Sequence, residues 1–168
     1  MSFVAALAVA DAVDRFLPGS ARVKWPNDVL VDGRKLAGIL LEAGGAEDDG
    51  RPAWLAVGFG VNLAAAPDDV PFPAIALASL CEPPSPRAFL DTLRMTWREK
   101  MTGYEQQGFG PTRDGWLARA YGLGQPIHVK LAEQQLRGIF EGLDAEGVLL
   151  VREGAQLHRI RAGEVFFV

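Results

Sequence analysis

A chain of 168 residues, 49% hydrophobic, 23% charged and 9% aromatic, has the length of one domain with room for a small appendage. Its composition is that of a globular protein, which excludes a disordered chain, a coiled coil and a fibrous repeat. Seventeen Lys and Arg against 21 Asp and Glu give a formal charge of −4, and without a basic run the sequence argues against nucleic acid as a partner.

The apolar run at residues 3–10 is too short to span a membrane, and no basic region precedes it as a signal peptide would require. Phe3, Leu7, Val13 and Leu17 fall near one stripe of a helix, which Pro18-Gly19 stops. A short strand at residues 22–25 follows, then turn chemistry in Pro26-Asn27-Asp28, then residues 29–31 as a second strand. Asp32-Gly33 reaches the positive φ angles of a two-residue turn, so residues 29–31 fold back on the run 36–41. That run is apolar on both faces and predicts a strand buried in mid-sheet. Residues 43–52, rich in Gly, Glu and Asp, read as an exposed loop, with Glu47-Asp48-Asp49 solvated rather than metal-binding. Residues 54–63 predict another largely apolar strand, interrupted by Gly58, Gly60 and Asn62.

Six prolines between residues 67 and 86 force extended and turn conformations, with one short helical turn near residues 76–80. Ser85-Pro86 is a good helix opening, and Phe89, Leu93, Trp97 and Tyr104 carry one stripe as far as residue 107. A further helix spans residues 111–121. Beyond Gly122-Leu123-Gly124-Gln125-Pro126 come five short strand candidates, at 127–131, 136–140, 148–152, 157–161 and 165–168. That spacing predicts a small β-barrel. The chain therefore divides into residues 1–121, an α/β module, and residues 122–168, a β module.

Chemistry concentrates in Lys24-Trp25-Pro26-Asn27-Asp28 and Lys35-Leu36-Ala37-Gly38-Ile39. Taken alone, this is a surface hairpin with two solvated lysines. Placement gives it a second meaning. Lys35 stands at the mouth of an apolar strand, where its stem can be buried while its ammonium faces an anion. Gly38 lets a ligand approach the backbone, and Asn27 and Asp28 add an amide and a carboxylate able to bind a polar ligand or a cation such as Mg²⁺. Together they point to an anionic, phosphate-bearing ligand. Trp25 reads as a core aromatic, and His128 and His158 as structural residues with no cysteine or carboxylate at ligand spacing. Cys81, the single cysteine, excludes an intrachain disulfide, reads as an inert thiol and predicts a reducing, cytoplasmic setting.

The KWPND element, the run Arg34-Lys35-Leu36-Ala37-Gly38-Ile39-Leu40-Leu41-Glu42 and the segment Gly58-Phe59-Gly60-Val61-Asn62-Leu63 closely resemble the biotin protein ligases, and the likeness runs over essentially the whole chain. It implies an α+β fold. A mixed or antiparallel sheet packs with helices, as in the class II synthetase-like biotin/lipoate ligases, and an SH3-like β-barrel follows. It also implies an activity: biotin and ATP form biotinyl-5′-adenylate and pyrophosphate, with Mg²⁺, and the biotinyl group passes to a lysine of a biotin carboxyl carrier protein or domain. Lys35 matches the family's catalytic lysine, beside the biotin carboxylate and the α-phosphate. At about 4 Å such a pair of charges interacts by about 4 kcal/mol at an effective dielectric near 20. By the same resemblance Ala37, Gly38 and Ile39, with Lys35, line biotin. Lys24, Asn27, Asp28 and Asn62 face the nucleotide, with Asp28 the candidate Mg²⁺ contact.

The sequence also departs from the family. No Gly-Arg-Gly-Arg run occurs, whereas the family carries a Gly- and Arg-rich loop and a Ser/Thr-containing strand upstream of the helix that begins this chain. The expectation is a catalytic module incomplete at its N-terminus, with two sheet strands missing, apolar surface uncovered and no DNA-binding helix-turn-helix. Three readings follow: a biotin protein ligase, a non-catalytic biotin- or nucleotide-binding or interaction module of the same descent, and, third, a lipoate ligase. Weak biotin binding and little turnover are expected of these 168 residues alone. A homodimer through sheet-edge pairing is left open.

Overall fold

A computed structural model describes residues 1–47, 52–131 and 134–167. Helix α1 (Ser2–Asp14) precedes strands β1 (Arg22–Lys24), β2 (Asp28–Val31), β3 (Arg34–Gly44) and β4 (Trp54–Val61). After a 3-10 turn at Leu77–Ser79 come α2 (Pro86–Gln107) and α3 (Phe109–Ala118). The chain ends in β5 (Pro126–Lys130), β6 (Gln135–Leu143), β7 (Leu149–Glu153), β8 (Gln156–Ile160) and β9 (Glu164–Phe167). The strands form two antiparallel sheets, ordered β1-β2-β3-β4 and β8-β7-β6-β5-β9.

Local chemistry explains the boundaries. Asp32 and Gly33 take φ of 50° and 69°, the left-handed pair that a two-residue hairpin turn requires, and β2 pairs with β3 across it. Ser85 caps α2, its hydroxyl accepting a hydrogen bond from the Ala88 N–H at 3.2 Å, with Pro86 in the first turn. All five strands expected after the Gly122–Gly124 linker form. Among the described residues no ladder joins β8 to β9, so the second unit is an open five-stranded order. The strand expected at 165–168 ends in Val168, and the acidic loop expected at Asp48 and Asp49 likewise lies outside the described residues.

Two expectations are corrected. Helix α1 is not amphipathic: Phe3 to Ala10, Ala12 and Val13 are all buried, because α2 and α3 cover one side and the sheet the other, and Leu17 lies beyond the helix. Nor is β3 buried along its length. Leu36, Ala37 and Ile39 are buried, but from Leu40 onward the strand is largely exposed.

Helices cover one face of the first sheet. Val57, Phe59 and Val61 pack against the core on that face, with Phe59 edge to face on Trp97 of α2 at 5.6 Å. The opposite face is open and carries Gly38, Leu40, Gly58 and Gly60. The two units meet through aromatic rings: Phe3 lies 5.4 Å from both Phe109 and Trp116, and Trp116 lies 6.4 Å from Phe140 of β6. Trp25 is buried, as expected of a core aromatic, and its indole N–H donates to the Gly147 carbonyl at 3.4 Å. The turn that follows β1 is thereby fixed to the second unit. Among the described residues no helix is long and apolar enough to cross a membrane.

Candidate functional site

On the open face of the first sheet, a cavity of about 600 Å³ falls within the range of small-molecule sites. Its floor is a cross-strand pair of glycines, Gly38 of β3 opposite Gly60 of β4. Neither places a side chain in the trough. One end holds three charged groups brought together by β1, β2 and β3. The Lys35 ammonium lies 2.6 Å from Asp28 Oδ1, and the Lys24 ammonium 3.6 Å from Asp28 Oδ2. Lys24 is 4% exposed in its side chain and Lys35 39%, so one cation is built into the wall and the other reaches toward solvent. The Phe72 ring covers Lys24, its centroid 4.5 Å from the ammonium.

Gly38 has a second function. A Cβ there would sit 3.2 Å from Lys35 Cε, 3.3 Å from its Nζ and 3.5 Å from Asp28 Oδ1. The absent side chain is what allows Lys35 to fold back on Asp28. The Lys35 backbone is held as firmly as its head group: its N–H donates to the Pro73 carbonyl at 2.7 Å. Its carbonyl accepts from the Ile75 N–H at 2.9 Å and from Asn62 Nδ2 at 3.3 Å. Burial pushes the Lys24 ammonium below the ordinary lysine value, and the Lys35 charge adds to that push while Asp28 and Glu164 oppose it.

Lys24, Asp28, Lys35, Ala37, Gly38 and Asn62, all expected from the sequence, line this one cavity. Two expected residues do not. Asn27 turns its amide away, Nδ2 donating to the Ile39 carbonyl at 2.6 Å, and its own carbonyl accepts from the Ile39 N–H at 2.9 Å. Asn27 is thus a clamp between the KWPND turn and β3, while the Ile39 side chain is core. Sequence reasoning missed the proline-rich wall of Pro67, Val70, Pro71 and Phe72, and it missed Glu164 of β9. A large aromatic among prolines was the available signal for Phe72; Glu164 had none, since only the docking of the second unit brings it here. Elsewhere, His158 pairs with Glu153 at 3.0 Å, and among the described residues no group of three or more His, Cys, Asp or Glu is placed to hold a metal ion.

Helices over one face of an antiparallel sheet and, on the other, a glycine-floored cleft lined by Lys24, Lys35, Asp28 and Glu164 define an α+β protein with a cavity of small-molecule size. Residues 2–62 match the model of the biotin/lipoate A/B protein ligase family, and residues 122–168 that of the biotin protein ligase C terminal domain. The biotin--[acetyl-CoA-carboxylase] ligase of Paracoccus denitrificans is 43% identical over 99% of this chain and 72% of its own length. The bifunctional ligase/repressor BirA of Bacillus subtilis is 27% identical over 98% of this chain, which spans 52% of that relative. The chain belongs to the biotin protein ligase family. The fold agrees: the biotin protein ligase of Aquifex aeolicus, solved in complex with biotin and ATP, superposes with a TM-score of 0.82 at 23% identity, covering 98% of this chain and 69% of that one.

Proposed function

We propose that the chain performs biotin–protein ligation: the biotin carboxylate attacks the α-phosphate of ATP, pyrophosphate leaves, and the resulting biotinyl-adenylate passes its acyl group to the amine of a carrier lysine with release of AMP. One observation carries this reading, namely two ammoniums fixed about Asp28 at the end of a glycine-floored trough. In it Lys35 is the catalytic cation, balancing charge shared by the carboxylate and the phosphoryl oxygens. Lys24 serves the polyphosphate side, and Asn62 holds the Lys35 carbonyl while bordering the nucleotide. Gly38 and Ala37 form the wall along biotin.

Asp28 does not suit a direct metal ligand, since both carboxylate oxygens already face ammoniums. The reading therefore lets Mg²⁺ enter on the phosphates of ATP and routes no step through Asp28. It also takes residues 1–121 and 122–168 as the two domains and places the protein in the cytoplasm. A homodimer through the outer edge of β4, which pairs with no further strand among the described residues, belongs to the same reading; sedimentation showing a monomer at every concentration removes it.

Biotin-dependent exchange of pyrophosphate into ATP tests the function. Exchange is expected to be weak in these 168 residues alone and strong in a chain that also carries the family's Gly- and Arg-rich loop, where Lys35→Ala is expected to lower it about a hundredfold, the scale of losing one fixed charge stabiliser. Equal rates in the two proteins would remove Lys35 from the chemistry. A second reading is a module that binds biotin or nucleotide without turning over. Calorimetric binding of biotin without exchange would select it.

A further inference from the structure

A second concavity, about 300 Å³, adjoins the site cavity and is walled by Pro71, Phe72, Pro73, Tyr121, Phe166 and Phe167. Pro71 and Phe72 also wall the cavity that holds the lysines, so the two share a wall. The groove is rigid at its floor. Tyr121 and Phe167 meet edge to face with centroids 4.6 Å apart. Gly33, the second residue of the β2–β3 turn, makes room for the tyrosine, whose hydroxyl a Cβ would meet at 2.7 Å; Gly122 at φ 75° does the same for Phe167, at 2.1 Å. Phe166 rests separately against the His128 ring at 6.1 Å. The second unit thus supplies two phenylalanines to a surface whose other walls come from the β2–β3 turn, the proline-rich segment and Tyr121, three residues beyond the end of α3. None of its wall residues is charged. A prearranged aromatic and proline surface loses little freedom on binding, and surfaces of this composition anchor apolar side chains at protein interfaces.

We propose that this groove is the docking surface for the acceptor protein, a carrier domain that seats apolar side chains from beside its acceptor lysine in the groove. The proposal rests on the ligase reading above and argues from reach. The acceptor amine has to arrive beside Lys35 while the domain bearing it stays outside the cavity. The carrier surface around that lysine therefore lies on whatever borders the cavity mouth. Along the proline-rich rim that border is the aromatic groove, and its lack of charge selects an apolar contact over a salt bridge.

Phe166→Glu tests the proposal, because it puts a carboxylate into the groove at a residue outside the site cavity. Biotin-dependent pyrophosphate exchange is expected to stay within about twofold of the unaltered chain. The KM for an apo carrier domain of a biotin-dependent carboxylase is expected to rise about tenfold or more, the effect of losing one interface anchor. Titrating the chain into isotope-labelled apo carrier domain, followed by NMR, should shift resonances around the acceptor lysine, and Phe166→Glu should weaken those shifts. Phe166→Leu is expected to keep both carrier readouts within about threefold, and Phe166→Ser to repeat the split should the charge unfold β9. An unchanged carrier KM with unchanged shifts in folded Phe166→Glu overturns the docking surface. So does a parallel loss of exchange, or a change of oligomeric state that identifies a second copy as the occupant. Absence of exchange in a chain that also carries the family's Gly- and Arg-rich loop overturns the ligase reading instead, and the NMR titration then decides docking by itself.

Discussion

The two ends of the β3–β4 ladder are made of similar residues and do different things. At the end nearer the β2–β3 turn, β3 runs between β2 and β4 over the helices. Here Gly38 opposes Gly60, Asn27 bonds both backbone polar groups of Ile39, and Asn62, Pro73 and Ile75 hold the Lys35 main chain. At the far end the same strand has lost β2 as a neighbour. Leu40 pairs with Gly58 and Gly44 with Trp54, and the large side chains of these pairs stand in solvent, Leu40 61% and Trp54 54% exposed. The ladder is continuous, so backbone pairing does not distinguish the two ends. Non-ladder clamps do, and they gather where a charged side chain has to be held still. Rigidity in this sheet is local, and it coincides with the site.

The contrast is broken most forcefully at Asp28. Asp28→Ala leaves the buried Lys24 ammonium without its carboxylate, and breaking a buried ion pair from one side costs about 3 kcal/mol. Part of that is relieved if Lys24 sheds its proton, which its burial already favours. Denaturant unfolding is expected to show a loss of about 2–3 kcal/mol. A loss below about 0.5 kcal/mol would mean that the carboxylate is not holding the clamped end together.

Gly38→Ala asks less of the fold and more of the site. The added methyl meets the mobile end of Lys35 rather than backbone, so the side chain yields toward the open cavity. The expected stability change is under about 1 kcal/mol. Pyrophosphate exchange is expected to fall about tenfold, because the ammonium leaves its place beside Asp28 and misplacement by an ångström is enough to slow a positioned reaction. Unchanged exchange would show that the position of Lys35 in the free chain is not the one used in the reaction.

Much of this arrangement was legible in the sequence, for reasons that differ by residue. Asp32-Gly33 and Ser85-Pro86 act through their own backbone preferences, so turn and helix start could be read locally. Lys24, Asp28, Lys35, Gly38 and Asn62 converge because a hairpin and its neighbouring strand bring them together, and strand pairing is itself a sequence-level pattern. The exposed half of β3 was not legible. Leu40-Leu41 continues the apolar run of Leu36 to Ile39, and apolar character does not reveal where β2 stops pairing and cover ends. Helix α1 was misread in the opposite sense: its small residues left a stripe visible, but the packed layers bury all of it except Ser2, Asp11 and Asp14. Phe72 and Glu164 reach the cavity only through long-range docking, and Asn27, expected to face the nucleotide, gives one amide N–H to the Ile39 carbonyl and is not among the residues lining the cavity.

The smallest effect is expected at the far end of the ladder, and it sharpens the comparison because it is small. Trp54 lies across Gly44, where a Cβ would meet its ring at 2.6 Å, so the residue does make a contact. Yet more than half of it faces water, no side-chain hydrogen bond ties it down among the described residues, and the strand it sits on is an edge. Trp54→Thr puts a β-branched residue suited to a strand in its place and removes an exposed aromatic from an edge open to pairing with other chains. Stability is therefore expected to change by no more than about 0.5 kcal/mol, pyrophosphate exchange by less than about twofold, and solubility on concentration to improve. If exchange instead fell as it does for Gly38→Ala, the far end would be coupled to Lys35 through the ladder alone, and the division of the sheet into a clamped end and a free end would be wrong.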